Sequence, residues 1–132
     1  MKIKYPRTYH AQWSPGATSD DKIVKVEIFS PDDIIWITEK MDGENTSMTR
    51  DSVYARSLDS KHHESRSVVK SIWASIKHRI PINFRICGEN MYAVHSIEYS
   101  DLESYFLVFS VWDGETCLNK NDTELSYRDW ET

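Results

Sequence analysis

Hydrophobic and polar residues follow one another along much of the chain in the short runs that are typical of β-strands. Residues 22–29 are rich in β-branched side chains and partly alternating, whereas residues 34–40 form a more continuous apolar run. We therefore expect two strands, the second of them central in a sheet. Residues 46–50 and 52–57 then predict a hairpin around Asp51.

Residues 64–79 have a different period. Their apolar side chains recur at spacings of three and four, which predicts an amphipathic helix with one stripe in the core. The stripe consists of Val68, Val69, Ile72, Trp73 and Ile76. Ser60 or His62 is expected to cap the start of the helix, and Pro81 lies just beyond its last turn, where a helix must end.

Strand patterns return after this helix. Residues 83–87 and 91–94 predict strands on either side of a turn at residues 88–90, and residues 105–112 predict a buried strand that ends at the turn Asp113-Gly114. Together these elements predict an α+β fold with mostly antiparallel sheets and one main helix. Residues 119–132 are polar and carry no stop signal.

The composition is that of one globular domain. The chain has 132 residues, of which 39% are hydrophobic and 12% aromatic, too many aromatics for a solvated tail. A chain of this length buries roughly two-thirds of its unfolded surface. The net charge of −5 excludes a basic footprint over the whole domain but does not exclude an enzyme with a local basic groove.

The sequence predicts a cytoplasmic protein with no membrane partner. No apolar run approaches the ~20 residues that a membrane span needs, and the N-terminus lacks the apolar region of a signal peptide. Only Cys87 and Cys117 are present, which is neither a disulfide framework nor a four-cysteine zinc site. The five histidines show no ligand spacing with them, and we expect Cys87 to be a small buried residue.

The sharpest local feature is Lys40-Met41-Asp42-Gly43, a lysine at the end of a predicted strand followed by a tight turn. A lysine becomes nucleophilic when desolvation or nearby cations lower its pKa, and an Asp-Gly turn lets backbone N–H groups approach an anion. So short a pattern occurs by chance in roughly a few per cent of chains of this length. Taken alone, it is better explained by a hairpin turn with a solvated lysine.

Further patterns follow in a fixed order. With Arg56-Ser57, then Gly88-Glu89-Asn90 and the aromatic strand at residues 107–112, the chain resembles the adenylyltransferase domain of ATP-dependent RNA ligases. That domain belongs to the covalent nucleotidyltransferases, together with those of DNA ligases and mRNA capping enzymes. Residues 40–43 match motif I of this superfamily, and the other three segments match motifs Ia, III and IIIa.

Several positions are closer to RNA ligases than to DNA ligases. These are Glu39, Asn45, the segment at residues 92–97 and the N-terminal run at residues 4–8. The resemblance covers nearly the whole chain, so we expect residues 1–132 to be the N-terminal part of a ligase-type adenylyltransferase domain.

The resemblance implies a covalent mechanism. Lys40 is expected to attack the α-phosphorus of ATP, form a lysyl-AMP phosphoramidate and release pyrophosphate. Asp42 and Asn45 are expected near the phosphates and near the waters of Mg²⁺ or Mn²⁺. We expect no direct protein ligand of the metal, because magnesium keeps several waters and needs few side chains.

The resemblance also implies a nucleotide pocket. Arg56 and Glu89 are expected to hold AMP, with Glu89 on a ribose hydroxyl, and Phe109 is expected to stack on adenine. Glu39 and Gly43 complete the expected nucleotide-binding set. A buried aromatic beside a ribose-binding carboxylate is suited to a nucleoside.

The chain departs from the family pattern after Trp112. Motif IV, which carries a metal-binding carboxylate, and motif V, Lys-x-Lys, do not follow, and the one Lys-x-Lys is Lys2-Ile3-Lys4. We therefore expect a chain that is truncated before motifs IV and V and whose adenylylation, when it is alone, is weak or absent. A sheet left incomplete exposes strand edges, which favours self-association or a completing chain.

Three functions are consistent with this sequence. The first is ATP-dependent joining of an RNA 5′-phosphate to a 3′-hydroxyl. The second is an inactive fragment or remnant that binds nucleotide or RNA, which the missing motifs favour. The third is a DNA ligase or a capping-type nucleotidyltransferase, against which the RNA-ligase-like segment at residues 89–99 argues.

Overall fold

A computed structural model describes residues 2–15, 22–57, 63–92 and 99–130. The chain forms two compact units. The N-terminal unit comprises Pro6–Lys40, and the sheet unit comprises Met1–Tyr5 together with Met41–Thr132.

The N-terminal unit contains little regular structure. Strands β1 (His10–Ala11) and β2 (Ile23–Val24) pair in parallel, and Val26–Ile28 form a 3₁₀ turn. The strand predicted at residues 22–29 is thus reduced to two residues. The strand predicted at residues 34–40 does not form within the described part of the chain.

That second prediction is wrong for a physical reason. An apolar, β-branched run favours a strand only where another strand offers a hydrogen-bonded ladder, and no described residue forms one with residues 34–40. The side chains of Ile34 and Ile37 are 87% and 92% exposed, so this run is not a central strand.

The sheet unit is built on one antiparallel five-stranded sheet of order β4-β3-β5-β6-β7. Its strands are β3 (Glu44–Met48), β4 (Val53–Ala55), β5 (Phe84–Asn90), β6 (Phe106–Asp113) and β7 (Thr116–Cys117). Strands β3 and β4 form the predicted hairpin. The turn predicted at Asp113-Gly114 joins β6 to β7, and Gly114 takes the positive φ of 58° that favours glycine there.

The glycine at position 88 had suggested a turn at residues 88–90, but the chain does not turn there. Strand β5 continues through Gly88 to Asn90, so Glu89 lies on a strand. A Cβ at Gly88 would lie 2.7 Å from the Phe106 ring and 2.7 Å from the Leu107 carbonyl oxygen. The glycine therefore lets β6 pack closely on β5 instead of making a turn.

The predicted helix is confirmed. Glu64–Arg66 form a 3₁₀ turn, α1 spans Ser67–Ile76, and Lys77–Arg79 form a final 3₁₀ turn before Pro81. Its cap is His63, whose Nδ1 accepts a hydrogen bond from the Ser65 N–H at 3.1 Å. The predicted caps, Ser60 and His62, lie outside the described residues.

A second helix, α2 (Lys120–Trp130), was not predicted. The Asn119 side chain caps it, since Oδ1 accepts from the Asp122 N–H at 2.8 Å. Tyr127 of this helix packs against the core.

The core lies between the sheet and the helices. Met48, Ile86 and Val111 are paired across β3, β5 and β6, point to the same face and are fully buried. Val69 of α1 and Ile80 close the same cluster. The fold is α+β with an antiparallel main sheet, as predicted. No helix in the described part of the chain is long and apolar enough to cross a membrane.

Candidate functional site

The face of the sheet opposite the core carries polar side chains. Residues paired across antiparallel strands point to the same side, so Asn45 lies beside Glu89, and Ser47 lies between Tyr54 and Cys87. The Ser47 hydroxyl and the Cys87 thiol are 3.5 Å apart. We call this side of the sheet the site face.

The segment that follows the lysine, residues 41–43, has a bend at Gly43, and we call this segment the turn. The Gly43 N–H donates to Glu89 Oε1 at 3.3 Å, and the Asp42 N–H donates to the Tyr99 hydroxyl at 2.9 Å. A Cβ on Gly43 would lie 2.5 Å from the Asn90 carbonyl oxygen. Glycine is therefore needed at this position for the backbone of the turn to approach β5 so closely.

Asn45 and Arg56 bring two unsatisfied polar atoms to the site face. The Arg56 N–H donates to the Asn45 carbonyl oxygen at 3.0 Å, which places the two residues side by side. Asn45 Oδ1 and Arg56 Nε are both buried and have no hydrogen-bond partner. An unsatisfied buried polar atom costs ~1–3 kcal/mol, so this pair is a candidate contact for a polar ligand.

An ion pair supports the strands from the other side of the sheet. Arg66 Nε and Nη2 donate to Glu44 Oε1 and Oε2 at 2.7 and 2.6 Å, and this hydrogen bonding raises the pKa of Arg66. Asn90, which pairs with Glu44, donates through Nδ2 to the Ser65 carbonyl oxygen at 3.2 Å. The start of the helix thus holds the residues adjacent to Asn45 and Glu89.

Phe109 lies at an irregular point of β6. The register shifts between Cys87 and Gly88, where Cys87 pairs with Ser110 and Gly88 with Val108, so Phe109 is the extra residue of a bulge. Its side chain is 45% exposed.

The N-terminal strap, residues 2–5, also contacts this sheet. The Ile3 N–H donates to the Tyr54 hydroxyl at 2.9 Å, and the Ile3 carbonyl oxygen accepts from Tyr54 and from Arg85 Nη1, each at 3.0 Å. The Tyr5 ring lies edge-to-face with Phe109 at 5.3 Å between centroids.

Neither cysteine has the environment of a nucleophile. Cys87 is fully buried, and burial raises the pKa of its thiol, which keeps it protonated. This confirms the expected small buried residue. Cys117 is exposed, and desolvation raises the pKa of its thiol as well.

The structure brings together six sequence-predicted residues within the sheet unit. Asp42 and Gly43 belong to the turn, Asn45 and Glu89 belong to paired strands, Arg56 directly follows β4, and Phe109 belongs to the same sheet. Glu39 and Lys40 are exposed residues of the N-terminal unit.

Sequence reasoning missed three residues that the structure connects to this site. Tyr99, Arg66 and Tyr5 reach it through contacts that span 22 to 104 positions of the chain. The pattern of residues within a short segment of sequence does not predict contacts over such separations. Among the described residues, no group of three His, Cys, Asp or Glu side chains is arranged to hold a metal ion.

Comparison with known proteins gives one match. The family model described as RNA ligase matches residues 33–132, which include the turn and every strand of the main sheet. No curated protein and no solved structure matches the chain significantly. Because the matched region covers most of the sequence, the chain belongs to the RNA ligase family.

Proposed function

We propose that this chain carries the nucleotidyl-transfer site of an ATP-dependent RNA ligase. Lys40 Nζ gives its proton to water and attacks the α-phosphorus of ATP. An N–P bond forms, the bond from the α-phosphorus to the bridging oxygen breaks, and pyrophosphate leaves with the electron pair. AMP then passes from the lysine to an RNA 5′-phosphate, and a 3′-hydroxyl displaces AMP to form the phosphodiester.

One observation carries this proposal. Asn45 Oδ1 and Arg56 Nε are buried without partners. Asn45 pairs with Glu89 across β3 and β5, and Arg56, directly after β4, is bonded to Asn45. An acceptor, a cationic donor and a carboxylate at one place suit a nucleoside phosphate, which offers hydroxyl donors and anionic oxygens. We assign Arg56 to the phosphate end of AMP and Glu89 to a ribose hydroxyl.

The turn itself is suited to a reaction at phosphorus. Its two successive N–H groups are held by Tyr99 and Glu89, which fixes the backbone immediately after the nucleophile. Nucleotidyl transfer depends on in-line placement, so a fixed turn lowers the entropy lost on reaching the reactive geometry.

The half-exposed Phe109 ring supports an adenine-stacking role. With 45% of the side chain accessible, its surface is available to a base. In this proposal Glu39 contributes to nucleotide binding through its position beside Lys40 in the sequence.

Magnesium fits the proposal through phosphate oxygens and water, with Asp42 and Asn45 as the residues that hold its water shell. When bound, Mg²⁺ neutralises charge that develops on the transferred phosphate.

The decisive experiment is transfer of label from α-³²P-ATP to the protein in the presence of Mg²⁺, resolved on a denaturing gel. We expect label on the wild type and none on Lys40→Ala. Lys25→Ala removes an exposed lysine from the same unit and should leave the label unchanged. Absence of label from folded wild-type protein contradicts the proposal and favours a nucleotide-binding remnant.

Two comparisons define the reaction further. Label from ATP but not from GTP separates a ligase from a capping-type enzyme. Sealing of a nicked strand with RNA termini, in preference to the same strand with DNA termini, separates RNA joining from DNA joining.

A further inference from the structure

We propose that Tyr5 is a positioning residue of the adenine site, which makes the N-terminal strap part of the nucleotide-binding machinery. This inference rests on the proposed function, because it acts through the stacking role of Phe109. It assigns a role to residues that lie outside the region matched by the RNA ligase family, which begins at residue 33.

Phe109 needs support that its own strand does not give. It is the extra residue of the bulge in β6, so no directly paired residue on β5 flanks its side chain. It is also 45% exposed. A ring in such a position retains rotamer freedom, which it must lose when a base stacks on it.

Tyr5 supplies that support. Its ring is perpendicular to Phe109, with an interplanar angle of 89° and a centroid distance of 5.3 Å, which is a favourable geometry for an aromatic pair. Such an edge-to-face contact restrains Phe109 in one orientation while the ring remains partly exposed to a ligand.

Tyr5 is itself held firmly. Its ring also lies edge-to-face with Trp112, at 6.5 Å and 89°. Two residues earlier, Ile3 is bonded through its backbone to Tyr54 and Arg85. The strap is therefore anchored at both ends on the sheet that carries Phe109.

The charge state of Tyr5 is fixed as well. Burial raises the pKa of Tyr5, and the neighbouring Ser110 side chain lowers it by a smaller amount. The hydroxyl is consequently neutral at physiological pH.

The test measures binding of ATP and of tripolyphosphate, by calorimetry without Mg²⁺, to the full chain. Tyr5→Leu removes the ring and should weaken ATP binding about two- to tenfold, which is the range for losing one aromatic pair. The affinity for tripolyphosphate should not change, because this ligand has no base. Tyr5→Phe keeps the ring and should bind ATP within about twofold of wild type. Tyr9→Leu, which removes an exposed tyrosine outside the strap, is the matched control.

A double-mutant cycle separates positioning from general stability. If Tyr5 acts through Phe109, then Tyr5→Leu should cost almost nothing when Phe109→Leu is already present. Equal losses of ATP affinity in both backgrounds overturn the inference. A Tyr5→Leu variant that binds ATP like wild type also overturns it, as does one that loses affinity for ATP and for tripolyphosphate equally. In these outcomes wild type still binds ATP, and the proposed function stands. Failure of folded wild type to bind ATP overturns both.

Discussion

The hydroxyl of Tyr99 accepts a hydrogen bond from the backbone N–H of Asp42 at 2.9 Å. This bond joins the turn that follows Lys40 to a residue 57 positions later. It therefore fixes the backbone of the proposed nucleophile's turn from outside motif I.

Tyr99→Phe removes that acceptor and retains the ring. We expect the rate of lysine adenylylation to fall about two- to tenfold, with little change in the KM for ATP, because the loss affects placement more than binding. Single-turnover transfer of label from α-³²P-ATP measures this rate. Tyr105→Phe, at an exposed tyrosine in ring contact with Tyr92, is the control and should react normally.

Gly43→Ala places a Cβ where the Asn90 carbonyl oxygen lies only 2.5 Å away. The clash is with backbone, so the turn must move off β5. We expect a loss of stability of about 1–3 kcal/mol and at least a tenfold loss of adenylylation. Denaturant unfolding and label transfer measure the two effects.

Gly114→Ala is the matched control for that substitution. Nothing lies within 4 Å of a Cβ there, but the φ of 58° is unfavourable for alanine. It should cost roughly 1–2 kcal/mol of stability and leave label transfer unaffected. Full activity of Gly43→Ala would contradict the requirement for close approach at the turn.

Arg66→Lys replaces the bidentate contact with Glu44 by a single ammonium. The two side chains are only 18% and 23% exposed, so solvent screens the pair incompletely. We expect the free energy of unfolding to fall by about 1–2 kcal/mol, between the values for surface and buried pairs.

The pair Lys120–Glu124 offers a comparison on α2. It is a more exposed contact at 3.4 Å between residues four apart, so Glu124→Gln should cost below about 0.5 kcal/mol. Urea unfolding of both variants checks the difference. Equal costs would show that the Glu44–Arg66 contact contributes no more than a surface pair.

Stability should decline at alkaline pH. Burial raises the pKa of Cys87 in the folded state, so the unfolded chain loses its thiol proton first as pH rises. The resulting stabilisation is complete below the unfolded pKa of about 8.5 and is lost above it, at about 1.4 kcal/mol per pH unit until the folded pKa is reached. Urea unfolding between pH 7 and 10 measures the slope.

Cys87→Ala should flatten that slope, whereas Cys117→Ala, at an exposed cysteine, should change it less. Tyr5 adds a similar loss at higher pH, because burial raises its pKa from about 10. A slope that is the same in wild type and Cys87→Ala would assign the alkaline loss to other groups.

The sequence predicted best those elements whose formation depends on local pattern. The apolar stripe around Val69 and Trp73, with its period of 3.6 residues, predicted the helix, and the Asp113-Gly114 turn predicted the end of β6. The strand predicted at residues 34–40 was wrong because a strand needs a hydrogen-bonded partner from elsewhere in the chain, which the run itself does not reveal. Helix α2 was missed because its sequence is largely polar, although Asn119 is a recognisable cap.

For the site, some residues that motif spacing grouped are neighbours in the sheet. Asn45 and Glu89 are paired across β3 and β5, and Arg56 adjoins Asn45. Sequence did not reveal Tyr99, Arg66 or Tyr5, because each reaches the site across a large separation in the chain. The roles proposed for Lys40 and its neighbours remain predictions until label transfer is measured.

The bond between the Ile3 carbonyl oxygen and Arg85 also constrains the order of folding. Its partners are 82 residues apart, so loop closure over that length must precede it. During synthesis the strap leaves the ribosome before Arg85, which emerges only after the entire α1 region. This anchor of the strap can therefore form only after β5 has been synthesised, and the surface that we assign to adenine is completed only when β6, with Phe109, has followed.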